Sequence, residues 1–335
     1  MGNAYSGRNM FIGVGIQSAL GTDATIFDYI QPTEVGGFLK SAETIQSNRR
    51  LGTRFGGSGY PGASQVPWNF TCELNPKNIG RILAGAIGAD DITVDVVDEV
   101  ATHSFEFDEA LSYLTLYCYG AGVADATGSD KVLKVTDAKI TGLTIRGNTD
   151  DVMLLEVSGI GIAVEADTTP TPSYPTENPF FLNTEVSVGT VVIGDTIGGG
   201  AQFDEATEIS VELDNGMAPD HRINGSAEAL GIREGASALR GSLSCVYNDD
   251  TFVEINKFYA GTARGIKITV AHASEFYTSH SMTLTIELDA VKYEGSDPSW
   301  DPDVISISMP FVADVSSSTK ITLKNDKVTV YSAAA

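Results

Sequence analysis

Apolar and polar residues alternate with a period of two along much of this chain. In Ser281-Met282-Thr283-Leu284-Thr285-Ile286-Glu287-Leu288-Asp289 the even positions are apolar and the odd ones polar, as a strand with one buried face requires. Glu208-Ile209-Ser210-Val211-Glu212-Leu213-Asp214 follows the same rule and aligns its acids on one side. Residues 113–119 and 266–270 are further alternating runs, and Gly, Asn and Asp clusters punctuate them. The predicted class is mainly β. Two segments change period. Asn75-Pro76 opens a stretch with Ile79, Ile82 and Leu83 on one helical face and Gly85 or Gly88 near its end; Asn75 is the expected N-cap. Asn248-Asp249-Asp250 opens a second stretch, with Phe252, Ile255 and Tyr259 on one side and Gly261 beyond.

The two helical segments lie 173 residues apart, and that offset also maps Cys72 onto Cys245, Ile79 onto Phe252, Ile82 onto Ile255 and Gly88 onto Gly261. Asp137-Ala138-Lys139 is similar to Asp289-Ala290-Val291, and 152–167 ends in an alternating strand as 304–314 does. These correspondences predict two tandem β-sandwich or barrel units, each with one short α-helix: 1–167 and 180–335, joined by a Pro/Thr-rich linker at 168–179.

Composition narrows the function. The 335 residues carry 21 Lys and Arg against 44 Asp and Glu, a net charge of −23. Division after Glu165 leaves 11 basic and 20 acidic residues before it and 10 and 24 after it, so neither part is a basic arm. A general nucleic-acid binder needs Lys and Arg to neutralise phosphate, and this balance argues against one. Cys72, Cys118 and Cys245 are odd in number and never form a CxxC pair, which fits neither a disulfide framework nor a zinc site. His103, His221, His272 and His280 have no metal-ligand spacing, and no phosphate loop or GxSxG elbow occurs. Asp297, Asp301 and Asp303 form an incomplete calcium loop and read as a solvated turn. No catalytic residue, metal or cofactor is predicted, and no enzyme. The sequence has no apolar run of membrane-spanning length, and its opening residues lack the apolar stretch of a signal peptide, so no secretory leader is expected; the opening Met1-Gly2-Asn3-Ala4-Tyr5-Ser6 matches a myristoylation pattern that recurs by chance. Synthesis in a reducing cytoplasm is expected.

One loop departs from the acidic background. Residues 46–62, QSNRRLGTRFGGSGYPG, gather Arg49, Arg50 and Arg54 with Phe55 and Tyr60 among glycines. A solvated loop, a nucleic-acid contact and an arm meeting acidic surface on another copy all fit that composition, and the last fits the whole chain best.

Taken together, the chain resembles the major tail tube proteins of long-tailed, siphovirus-type bacteriophages and related tailed viruses. The resemblance rests on the early strand and glycine turn at Gly13 to Thr25, the Ala42-Glu43-Thr44-Ile45 strand leading into the Arg-rich loop, the strand from Val66 to Leu74, and the helix from Lys77 to Gly88; the scheme repeats from Phe180. It departs from equivalence at Asn215 to Arg222, which has one Arg where the first loop has three. The family's fold is a β-sandwich or barrel with one helix, whose copies join sheets sideways into six-unit rings that stack into a conduit for the viral genome. A duplicated unit then implies a homotrimeric, pseudo-hexameric ring, with Arg49, Arg50, Arg54, Phe55 and Tyr60 in inter-ring contact. It further implies Glu208, Glu212, Asp214, Glu287 and Asp289 facing a lumen through which DNA slides without specific binding. Tape measure, tail tip and terminator proteins are the other partners it implies, in a virion tail assembled in the host cytoplasm with no membrane. The competing class is a non-enzymatic binding module, such as a fibre, capsid decoration or adhesin, recognising carbohydrate or a cell surface. Trp300 would be its exposed aromatic, since Trp68 lies in the alternating run with Val66, Phe70, Cys72 and Leu74 and belongs to the core.

Overall fold

The structure, a computed structural model, describes residues 10–46, 59–119, 131–168, 170–174, 176–223, 225–301, 304–315 and 318–332. The first part of the chain forms β1 (Phe11–Ile16), β2 (Asp28–Ile30), β3 (Pro32–Gly37), β4 (Ser41–Gln46), β5 (Gly59–Glu73), α1 (Gly80–Ile87), β6 (Gly88–Asp95), β7 (Val100–Phe107), β8 (Leu114–Tyr119), β9 (Lys131–Asn148), β10 (Leu154–Gly161) and β11 (Ala163–Thr168). The second part forms β12 (Ser187–Gly194), β13 (Ala201–Gln202), β14 (Ala206–Asp214), β15 (Ala218–Pro219), β16 (Ile232–Arg233), β17 (Ala238–Val246), α2 (Asp249–Tyr259), β18 (Arg264–Tyr277), β19 (His280–Tyr293), β20 (Asp297–Trp300), β21 (Ile305–Asp314) and β22 (Lys320–Asn325).

A single long sheet runs through both parts in the order β3–β5–β10–β9–β14–β17–β21–β20, antiparallel at every step. Its inward face carries Trp68, Phe70, Leu155, Val157, Leu143, Ile145, Ile209, Val211, Leu243 and Met309, all buried. Two outer sheets cover that face. One is β2–β1–β8–β9–β11; the other is β13–β12–β18–β19–β22–β7–β6. One continuous core cluster draws on residues from Ile12 to Tyr331.

Two long strands belong to two sheets each. β9 pairs with β8 and β11 up to Ala138 and with β10 and β14 beyond; β19 pairs with β18 and β22 and then, from Asp289, with β21. At each transition one residue takes a left-handed conformation, Asp137 (φ 53°) and Ala290 (φ 49°). A bulge of this kind turns the strand so that its alternation can serve a second sheet.

The helices are built differently. α2 begins as the sequence predicts: the Asn248 side chain accepts from the backbone N–H groups of Asp250 and Thr251 at 3.0 Å, and Thr251 returns the bond. α1 begins at Gly80, not near Pro76, and its N-cap, Ile79, has no capping side chain. Asn75 instead accepts from Lys77 N–H at 3.0 Å and donates to the Glu177 carbonyl at 2.7 Å, so it stabilises a turn that the 176–180 segment closes. Phe180, fully buried, extends this clasp: its N–H donates to Leu74 and its carbonyl accepts from Met153, both at 2.9 Å.

The C-terminal segment also folds back on the first part. Tyr331 is fully buried against Gly80 of α1, and its N–H donates to Asp90 Oδ2 at 2.6 Å. His103 holds the same Asp90 with Nδ1 and the Lys327 carbonyl with Nε2 at 2.7 Å, while Lys327 pairs with Asp28 at 2.8 Å.

Candidate functional site

Successive side chains on a strand point to opposite faces, so the long sheet's outward face is fixed by its buried one. Glu208, Glu212 and Asp214 of β14 are exposed there, beside Ile209, Val211 and Leu213, which are buried. The same face carries Glu34 (β3), Asn69 and Thr71 (β5), Glu156 (β10), Arg146 (β9), Arg240 (β17), Ser306 and Ser308 (β21). A groove on it is lined by Glu34, Asn69, Thr71, Glu156, Glu212 and Asp214. Arg146 pairs with Glu156 at 2.7 Å, but among the described residues no ion pair engages Glu34, Glu208, Glu212 or Asp214.

Glu287 and Asp289, the other two acids expected to face a lumen, lie apart from this face on β19. Glu287 is in the part of β19 that pairs in the outer sheet, where Lys267 at 2.9 Å and Lys320 at 3.8 Å engage it, whereas Asp289 faces Asp314 of β21. Asp289 sits at the bulge, where its N–H donates to Thr319 Oγ1 at 3.1 Å. The long sheet's groove therefore gathers Glu212 and Asp214 with Glu34 and Glu156, which the sequence reading did not single out.

The β4–β5 hairpin prolongs β5 beyond the long sheet. Tyr60 lies on it, opposite Ile45 and 63% exposed; Arg49, Arg50, Arg54 and Phe55 lie outside the described residues. The hairpin's base is held to the second part by Lys40–Glu228 (2.7 Å) and by the Ser64 N–H donating to the Ala227 carbonyl (2.8 Å).

The same local geometry occurs at two places in the long sheet. Pro32 faces Cys72 and Glu34 faces Thr71, so Thr33 is bulged out, and its hydroxyl donates to the Thr71 carbonyl at 3.1 Å. Ala206 faces Cys245 and Glu208 faces Ser244, so Thr207 is bulged out, and its hydroxyl donates to the Ser244 carbonyl at 3.0 Å. Leu74 N–H bonds the Met153 carbonyl as Tyr247 N–H bonds that of Ile305. What surrounds these places differs. The β9 side of the first is paired with β14, whereas among the described residues β20, in the corresponding position, pairs only with β21, and β3 only with β5. Every residue of α1 is buried, whereas Phe252, Val253 and Tyr259 of α2 are 48, 50 and 73% exposed; Trp300 on β20 is 73% exposed.

Cys72, Cys118 and Cys245 are free and buried, and burial pushes each thiol up to about 12, far from the thiolate range a nucleophile needs. Asp95, Asp98 and His280 bring metal-ligand types together among the described residues; His280 Nε2 lies 3.1 Å from Asp98 Oδ2, and the Lys324 ammonium lies 2.8 Å from His280 Nδ1. Asp297 lies on β20, facing Ser308, where the sequence reads as a solvated turn, and Asp303 lies outside the described residues. No helix among the described residues is long and apolar enough to cross a membrane.

A search of curated proteins returns no match. Among solved structures, the SPP1 tail tube, determined by solid-state NMR and cryo EM, aligns at 14% identity with a TM-score of 0.27, covering 44% of this chain and 80% of that one. The family model described as phage tail tube protein matches residues 7–313. With nearly all of its length inside that match, the chain belongs to the phage tail tube protein family, whose members are structural components of the virus tail.

Proposed function

We propose that this chain forms the tube as a ring of three copies, each supplying two tube units, 1–167 and 180–335, linked by 168–179. The observation that carries this reading is the β9–β14 junction, which joins the two parts into one sheet by ordinary antiparallel pairing and leaves β3 and β20 as open edges. Open sheet edges are a liability in a lone chain, and ring closure removes them. The recurrence of the Thr33 and Thr207 bulges supports a duplicated unit.

Each copy brings the eight strands of the long sheet, so three bring twenty-four. At about 4.8 Å per strand such a barrel is roughly 37 Å across at the backbone before tilt widens it, ample for an aqueous channel. The polar face with Glu34, Glu156, Glu208, Glu212 and Asp214 lines that channel in this reading. Carboxylates there repel phosphates and let DNA pass without sticking, which gives the −23 charge a use. Rings stack head to tail, a contact that extends into a filament, with the β4–β5 hairpin and its Arg49, Arg50, Arg54 segment reaching the next ring. Other tail proteins start and stop the polymer, in the host cytoplasm.

The mass of an isolated ring tests this. Three 35.4 kDa chains are expected; a closed ring of six chains would show that the two parts do not act as quasi-equivalent units.

A further inference from the structure

The second part of the chain leaves bare an apolar strip that its counterpart in the first part has covered. Matched at the 173-residue offset, α1 Ile79 and Gly80 correspond to α2 Phe252 and Val253. Ile79 is fully buried and Gly80 lies beneath Tyr331; Phe252 and Val253 are half exposed. On the adjoining sheet edge, Arg146 of β9 faces Leu154 as Ser299 of β20 faces Ser306, so Gly147 corresponds to Trp300. Gly147 is shielded by Leu182 and paired with Ile209 of β14; Trp300 is 73% exposed, with Tyr247 beside it at 6.3 Å between ring centroids. An exposed aromatic with a second aromatic beside it, on a strand with a free edge among the described residues, has the make-up of an interface anchor.

The geometry points to a specific occupant: β3 of a second copy, docked on β20 in the register that β14 takes on β9. Because Glu34 and Val35 occupy on β3 the positions that Glu208 and Ile209 occupy on β14, that register sets Trp300 opposite Val35 and, with the pairing continued one residue past the end of β20, Asp301 opposite Glu34. Residues opposite one another on antiparallel strands share a face, so Trp300 packs its ring on Val35, which is itself partly buried against the core. The strand directions agree as well: with every step in the long sheet antiparallel, β20 and an incoming β3 run oppositely, as β9 and β14 do. The copy-to-copy junction is then not identical to the one inside the chain. The β6–β7 hairpin, inserted between α1 and β8, bridges the internal junction by pairing with β22, whereas only residues 260–263 separate α2 from β18, so the external junction relies on Trp300 and α2 instead.

This inference rests on the ring reading but fails separately from it. The paired variant Glu34→Cys with Asp301→Cys brings two Cβ atoms to about 4.5–5.5 Å in the stated register, within reach of a disulfide after small adjustment. The three native cysteines are buried and do not compete. Oxidised rings should run as covalent dimers and trimers on a non-reducing gel, while Glu34→Cys with Ser299→Cys should stay monomeric. In parallel, Trp300→Ser should leave the monomer's circular dichroism and melting unchanged, because the side chain is exposed, yet weaken ring association by about thirtyfold or more in sedimentation. Rings of three that neither crosslink in this register nor depend on Trp300 would overturn the inference and leave the ring reading intact. Rings of six, or none, would overturn the ring reading itself.

Discussion

Gly80 and Tyr331 offer a direct measure of how firmly the end of the chain holds the first helix. A methyl group at Gly80 would overlap the Tyr331 ring at Cζ, Cε1 and Cε2. The ring has nowhere to go: it lies 4.5 Å from the His103 ring centroid, the Lys327 ammonium is 4.1 Å from its own centroid, and its hydroxyl accepts from Asn325 Nδ2 at 2.8 Å. In an unobstructed helix Gly→Ala gains about 0.5–1 kcal/mol. Overpacking of a filled core costs about 1–3 kcal/mol, so Gly80→Ala should be net destabilising by up to about 2 kcal/mol. Tyr331→Ala empties the site and should cost about 3–5 kcal/mol, as other buried aromatic truncations do. In the double variant the new methyl enters vacated space, so the loss should be no greater than for Tyr331→Ala alone and the helix gain should reappear. Urea unfolding of the four proteins gives the coupling energy directly, about 2 kcal/mol with the sign of mutual rescue. Additive losses would refute the claim that Gly80 makes room for the Tyr331 ring.

Other perturbations follow from the same geometry. Arg264 and Glu254 form a two-point pair at 3.0 and 2.7 Å, both side chains under 10% exposed; Arg264→Met strands the carboxylate and should cost about 3–5 kcal/mol by urea unfolding, with Glu254→Gln restoring part of it. Asn248→Ala removes the α2 cap and should cost about 1 kcal/mol, whereas Asn75→Ala should act through the Glu177 turn and loosen the 176–180 segment in hydrogen exchange. Loss of hydration in its buried site holds the His272 imidazole below 6.5, so the native chain binds fewer protons than the unfolded one; stability is intact above about 6.5 and falls as pH drops, a slope that His272→Leu should flatten in thermal melts. Glu208→Lys with Glu212→Lys should leave the fold and the tube intact and slow genome passage; unchanged infectivity of phage carrying it would remove these residues from the lumen.

The alternation along the chain made the strands and much of the core legible, Trp68 among them, because burial on one face is a local property of a strand. Which face meets which layer is not local. Glu212 and Glu287 sit in equally regular runs, yet one strand belongs to the long sheet and the other to an outer sheet, a difference set by the bulge at Ala290 and by partners far along the chain. Asn75 illustrates a second limit: Asn followed by Pro has the composition of a helix start, but the carbonyl of Glu177, 102 residues away, supplies the bond that decides its role. The correspondence between Thr33-Glu34-Val35 and Thr207-Glu208-Ile209 was present in the letters at an offset of 174, one away from the helix offset, and three short, common residues do not announce a bulge. Trp300 was readable as an exposed aromatic from its Ser and Asp neighbours. Its place beside an unpaired strand edge was not, because the edge exists only once β9 and β14 have met and left β20 without the partner that β9 has.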